Sequence, residues 1–155
     1  MTRIWDSYLS DQDKAHVAKG GQRPAFGFGT KAAVLSIDNY RAVVGDEPQP
    51  LLEAMETWPS TTGPAGWQAL SQIEELFAGA RRADIPIVHI TGLSEQESGV
   101  APWSRGRGGA TPAPTDPAVL DRQARRFDIV EQAAAEPGEV VLKKTGPSAF
   151  FGTPL

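Results

Sequence analysis

The sequence predicts an α/β fold in which a mostly parallel sheet carries helices on both faces. Compact apolar runs of strand length occur at 32–37, 86–91 and 139–144. The first run does not alternate between apolar and polar residues, so we expect that strand to be buried on both faces, as in a parallel sheet. An amphipathic segment separates the first two runs, and the order strand, helix, strand predicts a right-handed parallel crossover.

The N-terminal residues are predicted to stand apart from this sheet. Ser10 is followed three positions later by Asp13, a pattern that resembles a capping box and predicts a short helix. The Gly-rich stretch after it has neither helical nor strand periodicity. We therefore expect residues 1–25 to form a helix and an arm, and residues 26–155 to belong to one domain.

The segment at 64–86 predicts the main helix. Six residues are expected to share its buried face: Trp67, Leu70, Ile73, Leu76, Phe77 and Ala80. Before it, residues 45–64 form a connection with four prolines, in which LLEAMET is expected to make one or two helical turns.

The region at 92–117 is rich in Gly, Pro, Ser and Arg. A connection of this length is usually functional or disordered. At its end, Asp116 and Pro117 are expected to cap one helical turn, and a Pro-Gly turn then leads into the third strand.

Composition excludes several classes of function. The net charge of −4 provides no electrostatic basis for nucleic-acid binding, and no apolar run has the length of a membrane span. Residues 1–14 lack the apolar core of a signal peptide, so we expect a cytoplasmic protein without a membrane partner. The 155 residues contain no cysteine, which excludes disulfides, cysteine metal sites and a cysteine nucleophile from the sequence as given.

Two charged residues end predicted strands. Asp38 follows the first strand and Lys144 ends the third. Ligands of open α/β sheets bind at the carboxyl ends of the strands, where these two side chains would pair and the carboxylate would stay ionised and ready to accept a proton. From spacing alone, the plainer interpretation is an ordinary loop aspartate and a solvated lysine.

Other chemistry-bearing residues favour ordinary roles. The Gly-x-Gly of residues 27–29 precedes a strand, whereas a dinucleotide fingerprint follows one. No metal ligands flank His89, which is expected in the core or at the end of its strand, and His16 is expected on the surface. We predict neither a metal nor a cofactor. Arg105 and Arg107 are candidates for an anionic substrate, although a solvated loop is the simpler interpretation.

Three stretches together resemble a known family. AVLSID, DIPIVHI and VVLKKTGPSAFFGTPL resemble the isochorismatase-like cysteine hydrolases. Lys-x-x-x-Ser-Ala-Phe-x-Gly-Thr, which starts at Lys144, is the most specific part. Residues 44–67 resemble the N-carbamoylsarcosine amidohydrolase branch, with maleamate amidohydrolases as close relatives. The resemblance covers nearly all of residues 26–155 and implies a three-layer isochorismatase-like fold.

This resemblance implies an Asp-Lys-Cys triad. Asp38 matches the aspartate that takes the thiol proton, and Lys144 matches the lysine that supports the ion pair, whereas Lys143 does not fit the spacing. A thiolate activated in this way attacks the carbonyl of a small amide or carbamoyl substrate. Ser148 and Thr153 match other motif positions and are not candidates for the nucleophile.

The family's cysteine lies downstream of the matched segments. We therefore expect the chain to be a piece of a longer protein, with the C-terminal part of the fold missing. The metal-binding cluster of nicotinamidase relatives has no counterpart here, which implies no catalytic metal. The resemblance thus implies a homo-oligomeric amidohydrolase acting on a small amide or carbamoyl compound. The alternatives are a catalytically silent binding or assembly subunit and a truncated remnant.

Overall fold

The computed structural model describes residues 4–21, 27, 29–94 and 114–155. The chain divides into two compact units, Met1–Thr30 and Lys31–Leu155. The first unit contains a 3-10 turn at Asp6–Tyr8 and helix α1 at Asp11–Gly20. The backbone N–H of Asp13 donates to Ser10 Oγ at 3.1 Å, and the backbone N–H of Ser10 donates to Asp13 Oδ2 at 3.0 Å. The predicted capping box is confirmed, and it explains where this helix begins.

The second unit contains three parallel strands and four helices within its described residues. In chain order these are β1 Val34–Ile37, α2 Arg41–Val44, α3 Leu51–Thr57, α4 Pro64–Arg82, β2 Ile87–Gly92, α5 Pro117–Arg125 and β3 Val140–Lys144. A 3-10 turn at Glu131–Ala133 precedes β3. The predicted α/β architecture with a parallel sheet is confirmed. Helix α5 has nine residues, more than the single turn expected from Asp116 and Pro117.

Strand β2 is the centre of the sheet, and the strand order is β1-β2-β3. β2 pairs with β1 from Val34↔Ile87 to Ile37↔Ile90. It pairs with β3 from Val88↔Val140 to Gly92↔Lys144. Because all three strands run in the same direction, the ends of β1 and β3 lie at one edge of the sheet.

Helix α4 covers one face of the sheet. Leu70 and Phe77 are each 2% exposed and pack in a core cluster with Ile87 of β2. Trp67 and Ile73 are partly buried against the same cluster. Leu76, which we expected in this stripe, is 54% exposed. It precedes Phe77 by one residue, about 100° around the helix, and so lies at the flank of the buried stripe.

The opposite face is less covered than the sequence predicted. Leu35 and Ile37 of β1 are 43% and 48% exposed. Val140 of β3, which is in register with Leu35 through Val88, is 50% exposed. The expectation that β1 is buried on both faces is therefore wrong for the described residues. An apolar run shows that both faces are apolar, but it does not show that both are covered. We call Leu35, Ile37 and Val140 the half-exposed face.

A charged network lies at the amino-terminal edge of the sheet, where β3 begins. Glu139 accepts two hydrogen bonds from Arg81 of α4, each at 2.9 Å, and lies 2.9 Å from His89 Nε2. His89 is fully buried, and its ring meets Phe77 edge-on at 5.3 Å. The prediction of a core histidine is confirmed. The bidentate contact joins the end of α4 to the start of β3.

Stability in acid is expected to depend on Glu139. The Arg81 guanidinium outweighs burial and, with the Glu136 backbone N–H and His89, lowers the pKa of Glu139 to about 2. In the unfolded chain the Glu139 carboxylate takes up its proton near pH 4.3. The stability that its lowered pKa contributes is therefore fully present above that pH and is lost as pH falls towards 2. Urea unfolding between pH 2.5 and 6 should show a steeper loss of stability in the wild-type protein than in Glu139→Gln. Equal slopes would contradict this assignment.

Candidate active site

Asp38 and Lys144 meet at the carboxyl-terminal edge of the sheet. Lys144 Nζ lies 2.9 Å from Asp38 Oδ1 and also donates a hydrogen bond to the carbonyl oxygen of Pro147 at 3.1 Å. The Lys144 side chain is only 7% exposed, whereas that of Asp38 is 37% exposed. A solvated lysine is therefore excluded. A buried ammonium needs a counter-charge, and Asp38 supplies it.

The backbone of Asp38 turns the chain away from the sheet. Its N–H donates to the Ile90 carbonyl at 3.1 Å, which continues the ladder between β1 and β2. Its φ of 64° is in the left-handed region, which aspartate tolerates better than most residues. The strand thus ends at Asp38, and the carboxylate reaches past β2 to the end of β3.

One carboxylate oxygen keeps free acceptor capacity. Asp38 Oδ1 is buried, and within the described part of the chain it accepts no well-aligned hydrogen bond. Its contact with Lys144 is therefore an ion pair without linear hydrogen-bond geometry. A carboxylate oxygen accepts hydrogen bonds at two lone pairs, so Asp38 has the chemistry of a proton acceptor.

Tyr40 is a neighbour of this pair that the sequence analysis did not identify. Burial raises the pKa of Tyr40 to about 12, and the charge of Asp38 and a hydrogen bond to its carboxylate act in the same direction. The phenol is therefore neutral at ordinary pH. Its position two residues after Asp38 was the only signal available in the sequence.

Phe127 forms an aromatic wall next to the pair. Its ring lies over Gly92, where an added Cβ would come within 2.3 Å of ring atoms, and it meets the Tyr40 ring edge-on at 5.2 Å. The Thr91 hydroxyl donates to the Phe127 carbonyl oxygen and fixes the backbone there. Gly92 ends the central strand β2 and is paired with Lys144 of β3. The Phe127 ring therefore lies over the end of β2, next to the end of β3.

Replacing Gly92 by alanine should displace this wall. The new methyl group would overlap the Phe127 ring, so we expect a loss of about 1–3 kcal/mol of unfolding free energy. Phe127→Ala alone should also destabilise, but in that background Gly92→Ala should cost much less. Urea unfolding of the four proteins measures the coupling. Additive losses would show that the close packing at Gly92 does not depend on Phe127.

A second charged cluster holds the surrounding loops. Asp46 accepts hydrogen bonds from Arg41 at 2.8 Å, from Arg125 at 2.6 Å and from the Trp58 indole at 2.8 Å. Burial alone would raise the pKa of Asp46, but these donors together hold it below its usual value. Arg125 also lies over the Trp58 ring at 5.4 Å. The cluster joins α2, α5 and the end of α3, so Trp58 and Arg125 have a packing role.

The remaining candidates are placed as follows. Arg105 and Arg107 lie outside the described residues, and His16 is exposed on α1. Ser148 Oγ accepts a 3.3 Å hydrogen bond from the Phe150 N–H, and the Thr153 hydroxyl donates to the Ala149 carbonyl. Neither hydroxyl is near a base in the described contacts. Among the described residues, no group of three or more potential metal ligands occurs and no helix is long and apolar enough to cross a membrane.

The isochorismatase domain family matches residues 32–155, four-fifths of the sequence and all of the sheet. The chain belongs to the isochorismatase family. A family protein from Burkholderia thailandensis supports the fold, with a TM-score of 0.52 and 22% identity over 83% of this chain and 57% of that one. A comparison with curated proteins gives no match.

Two further solved structures are similar to this isochorismatase-family chain. The N-carbamoylsarcosine amidase of Thermoplasma acidophilum has a TM-score of 0.47 and 17% identity, over 81% of this chain and 58% of its own. An isochorismatase family protein from Desulfovibrio vulgaris has a TM-score of 0.45 and 23% identity, over 79% and 57%. This chain thus spans little more than half the length of the solved structures that it matches.

Proposed function

We propose that this chain supplies the base and the cation of an amidohydrolase site that cleaves a C–N bond in a small carbamoyl or primary amide compound. The observation that supports the proposal is the 2.9 Å contact between Asp38 and the buried Lys144 at the carboxyl edge of the sheet. A carboxylate that contacts a buried ammonium is suited by its position and chemistry to accept the proton of a weakly acidic nucleophile.

The proposed reaction begins when Asp38 takes the proton of a thiol. The thiolate attacks the substrate carbonyl, and the tetrahedral oxyanion collapses as the C–N bond breaks. The amide nitrogen takes the proton back from Asp38 and leaves as ammonia. Water then hydrolyses the thioester and returns the thiol. Lys144 supplies the positive charge beside the Asp38 carboxylate.

The thiol of this scheme lies outside the 155 residues, which contain no cysteine. We take N-carbamoylsarcosine and maleamate as the first substrates to examine, since residues 44–67 resemble the branch that acts on such compounds. Both carry a terminal carbonyl–nitrogen bond whose cleavage releases ammonia.

The test uses the protein as its natural source produces it. We expect an intact mass above 16.6 kDa, a titratable thiol, and ammonia release from one of these two compounds that iodoacetamide abolishes. A mass of 16.6 kDa without a thiol would overturn the thiol-dependent mechanism.

A non-catalytic binding or assembly subunit is the second candidate, and the absence of cysteine from the 155 residues favours it. Such a subunit would keep the Asp38–Lys144 pair but release no ammonia from any amide. Ammonia release that an alkylating agent blocks would exclude it.

We also propose that the chain forms homo-oligomers. The half-exposed face presents three aliphatic side chains, and burying them against a second copy would remove apolar area from water. Sedimentation equilibrium should show a mass that rises with concentration, and Leu35→Lys should weaken this association. A monomer at all concentrations would contradict the proposal.

A further inference from the structure

The ion pair with Lys144 does not by itself fix the orientation of the Asp38 carboxylate. The last torsion of an aspartate side chain is broad and roughly two-fold, so the carboxylate turns easily unless its oxygens are bound. Lys144 Nζ lies 2.9 Å from Asp38 Oδ1, but this contact lacks linear hydrogen-bond geometry. The contact therefore holds the carboxylate near the ammonium and leaves its rotation about the last bond less restricted.

Tyr40 is held at both its backbone and its ring. Its carbonyl oxygen accepts the N–H groups of Val43 and Val44 at 2.9 Å and 3.0 Å, where α2 begins. An antiparallel bridge pairs Tyr40 with Ile129, in the segment after α5. Tyr40 is only 9% exposed, and its ring meets that of Phe127 edge-on at 5.2 Å. The phenol hydroxyl therefore has little freedom, and a buried tyrosine hydroxyl normally has a hydrogen-bond partner.

The packing around Tyr40 leads back to the ion pair. Phe127 covers Gly92, and Gly92 is in register with Lys144. Lys144 in turn contacts Asp38, which precedes Tyr40 by two residues. Burial raises the pKa of Tyr40 to about 12, and the charge of Asp38 and a hydrogen bond between the two side chains act in the same direction. The Tyr40 hydroxyl is thus a neutral donor beside the Asp38 carboxylate.

We propose that Tyr40 is a positioning residue, which donates its hydroxyl to the Asp38 carboxylate and so turns this base towards the nucleophile. This inference rests on the proposed function for the nature of the nucleophile, a thiol. Proton transfer requires the base to lie within hydrogen-bond distance of the proton and to be aligned with it. A carboxylate held by both the ammonium of Lys144 and the phenol is fixed in position and in orientation.

The contact is tested by nuclear magnetic resonance on the same protein as the ammonia assay, with ¹³C at the tyrosine ring carbon that bears the hydroxyl. In equal parts of light and heavy water, a slowly exchanging hydroxyl splits this carbon signal, whereas a rapidly exchanging one does not. We expect a split signal for Tyr40, assigned by its loss in Tyr40→Phe, and a single signal for Tyr8, which is 87% exposed.

Asp38→Gly removes the acceptor and fits the left-handed backbone at this position, where φ is 64°. In this variant the Tyr40 signal should merge into one, because the hydroxyl has lost its partner. A single Tyr40 signal in the wild-type protein would overturn the inference. A split signal that persists in Asp38→Gly would also overturn it, since the hydroxyl would then be protected without Asp38.

The positioning role is tested by kinetics. Tyr40→Phe removes the hydroxyl and keeps the ring that packs on Phe127. Because the hydroxyl acts through Asp38, we expect kcat for ammonia release to fall about ten- to hundredfold while KM stays within about threefold of wild type. A substitution that merely loosened the site would raise KM as well.

Tyr8→Phe is the matched control, since Tyr8 belongs to the exposed 3-10 turn of the first unit, and it should leave both constants unchanged. Normal turnover in Tyr40→Phe, or a loss that appears mainly in KM, would overturn the positioning role alone. A wild-type protein that releases no ammonia would overturn the proposed function and the positioning role together.

Discussion

Under the proposed function, replacing Asp38 by asparagine is expected to lower amide turnover by about a thousandfold or more, measured in the protein as its natural source produces it. Asparagine has nearly the same shape and also tolerates the left-handed backbone seen at Asp38, where φ is 64°. The change therefore removes the proton acceptor while straining the turn little. Steady-state ammonia release from N-carbamoylsarcosine or maleamate measures the loss.

Lys144→Met tests the other half of the pair. Methionine keeps an unbranched side chain in a site that is 7% exposed, but it leaves Asp38 without its cation. We expect a loss of turnover of similar size. Lys143→Met is the matched control, since Lys143 is adjacent in β3 and is not in the ion pair with Asp38, and it should stay within about threefold of wild type. Near-normal turnover in both Asp38→Asn and Lys144→Met would remove the site assignment.

Truncating Glu139 is expected to cost the fold about 3 kcal/mol, among the larger effects of any single substitution in this chain. Glu139→Ala leaves the Arg81 guanidinium without its bidentate partner and deprives the buried His89 of its contact at Nε2. His89 Nδ1 already has no hydrogen-bond partner among the described residues, so the ring would then be unpaired at both nitrogens. Chemical denaturation at pH 7 measures the loss.

A double-mutant cycle with Arg81→Met separates pairing from packing. If the loss comes from uncompensated charge, Glu139→Ala should be much milder once Arg81 is already methionine. Glu75→Ala, which truncates an exposed glutamate of α4, should change stability by less than about 0.5 kcal/mol. Identical losses with and without the Arg81 guanidinium would show that the network contributes no pairing energy.

The sheet and its main helix were predictable because their signals are local. The apolar runs identified β1, β2 and β3, and the periodicity of residues 64–82 identified α4. The pairing of Asp38 with Lys144 was also within reach, because both end parallel strands and parallel strands end at the same edge. The chemistry that the pair performs stays a prediction.

Other features depend on contacts that no local pattern encodes. Phe127 follows a short helix and gave no sign that its ring covers Gly92, thirty-five positions earlier. In the sequence, Arg126 and Arg122 both look like surface charges of a helix end. The structure shows that the Arg126 guanidinium stacks on the Phe127 ring. Similarly, the apolar sequence of β1 did not reveal that Leu35 and Ile37 stay half-exposed. These properties depend on which distant segments pack together.

The order β1-β2-β3 has a consequence for how the chain folds. Asp38 follows β1 and Lys144 ends β3, and in the sheet of the described residues these two outer strands pair with β2 and not with each other. Their ion pair closes a loop of about a hundred residues, and contacts this far apart in sequence form slowly because the chain entropy is lost before they stabilise anything. Amide protection in β2 should therefore precede closure of the ion pair during refolding. The reactive geometry would be among the last parts of the native state to appear.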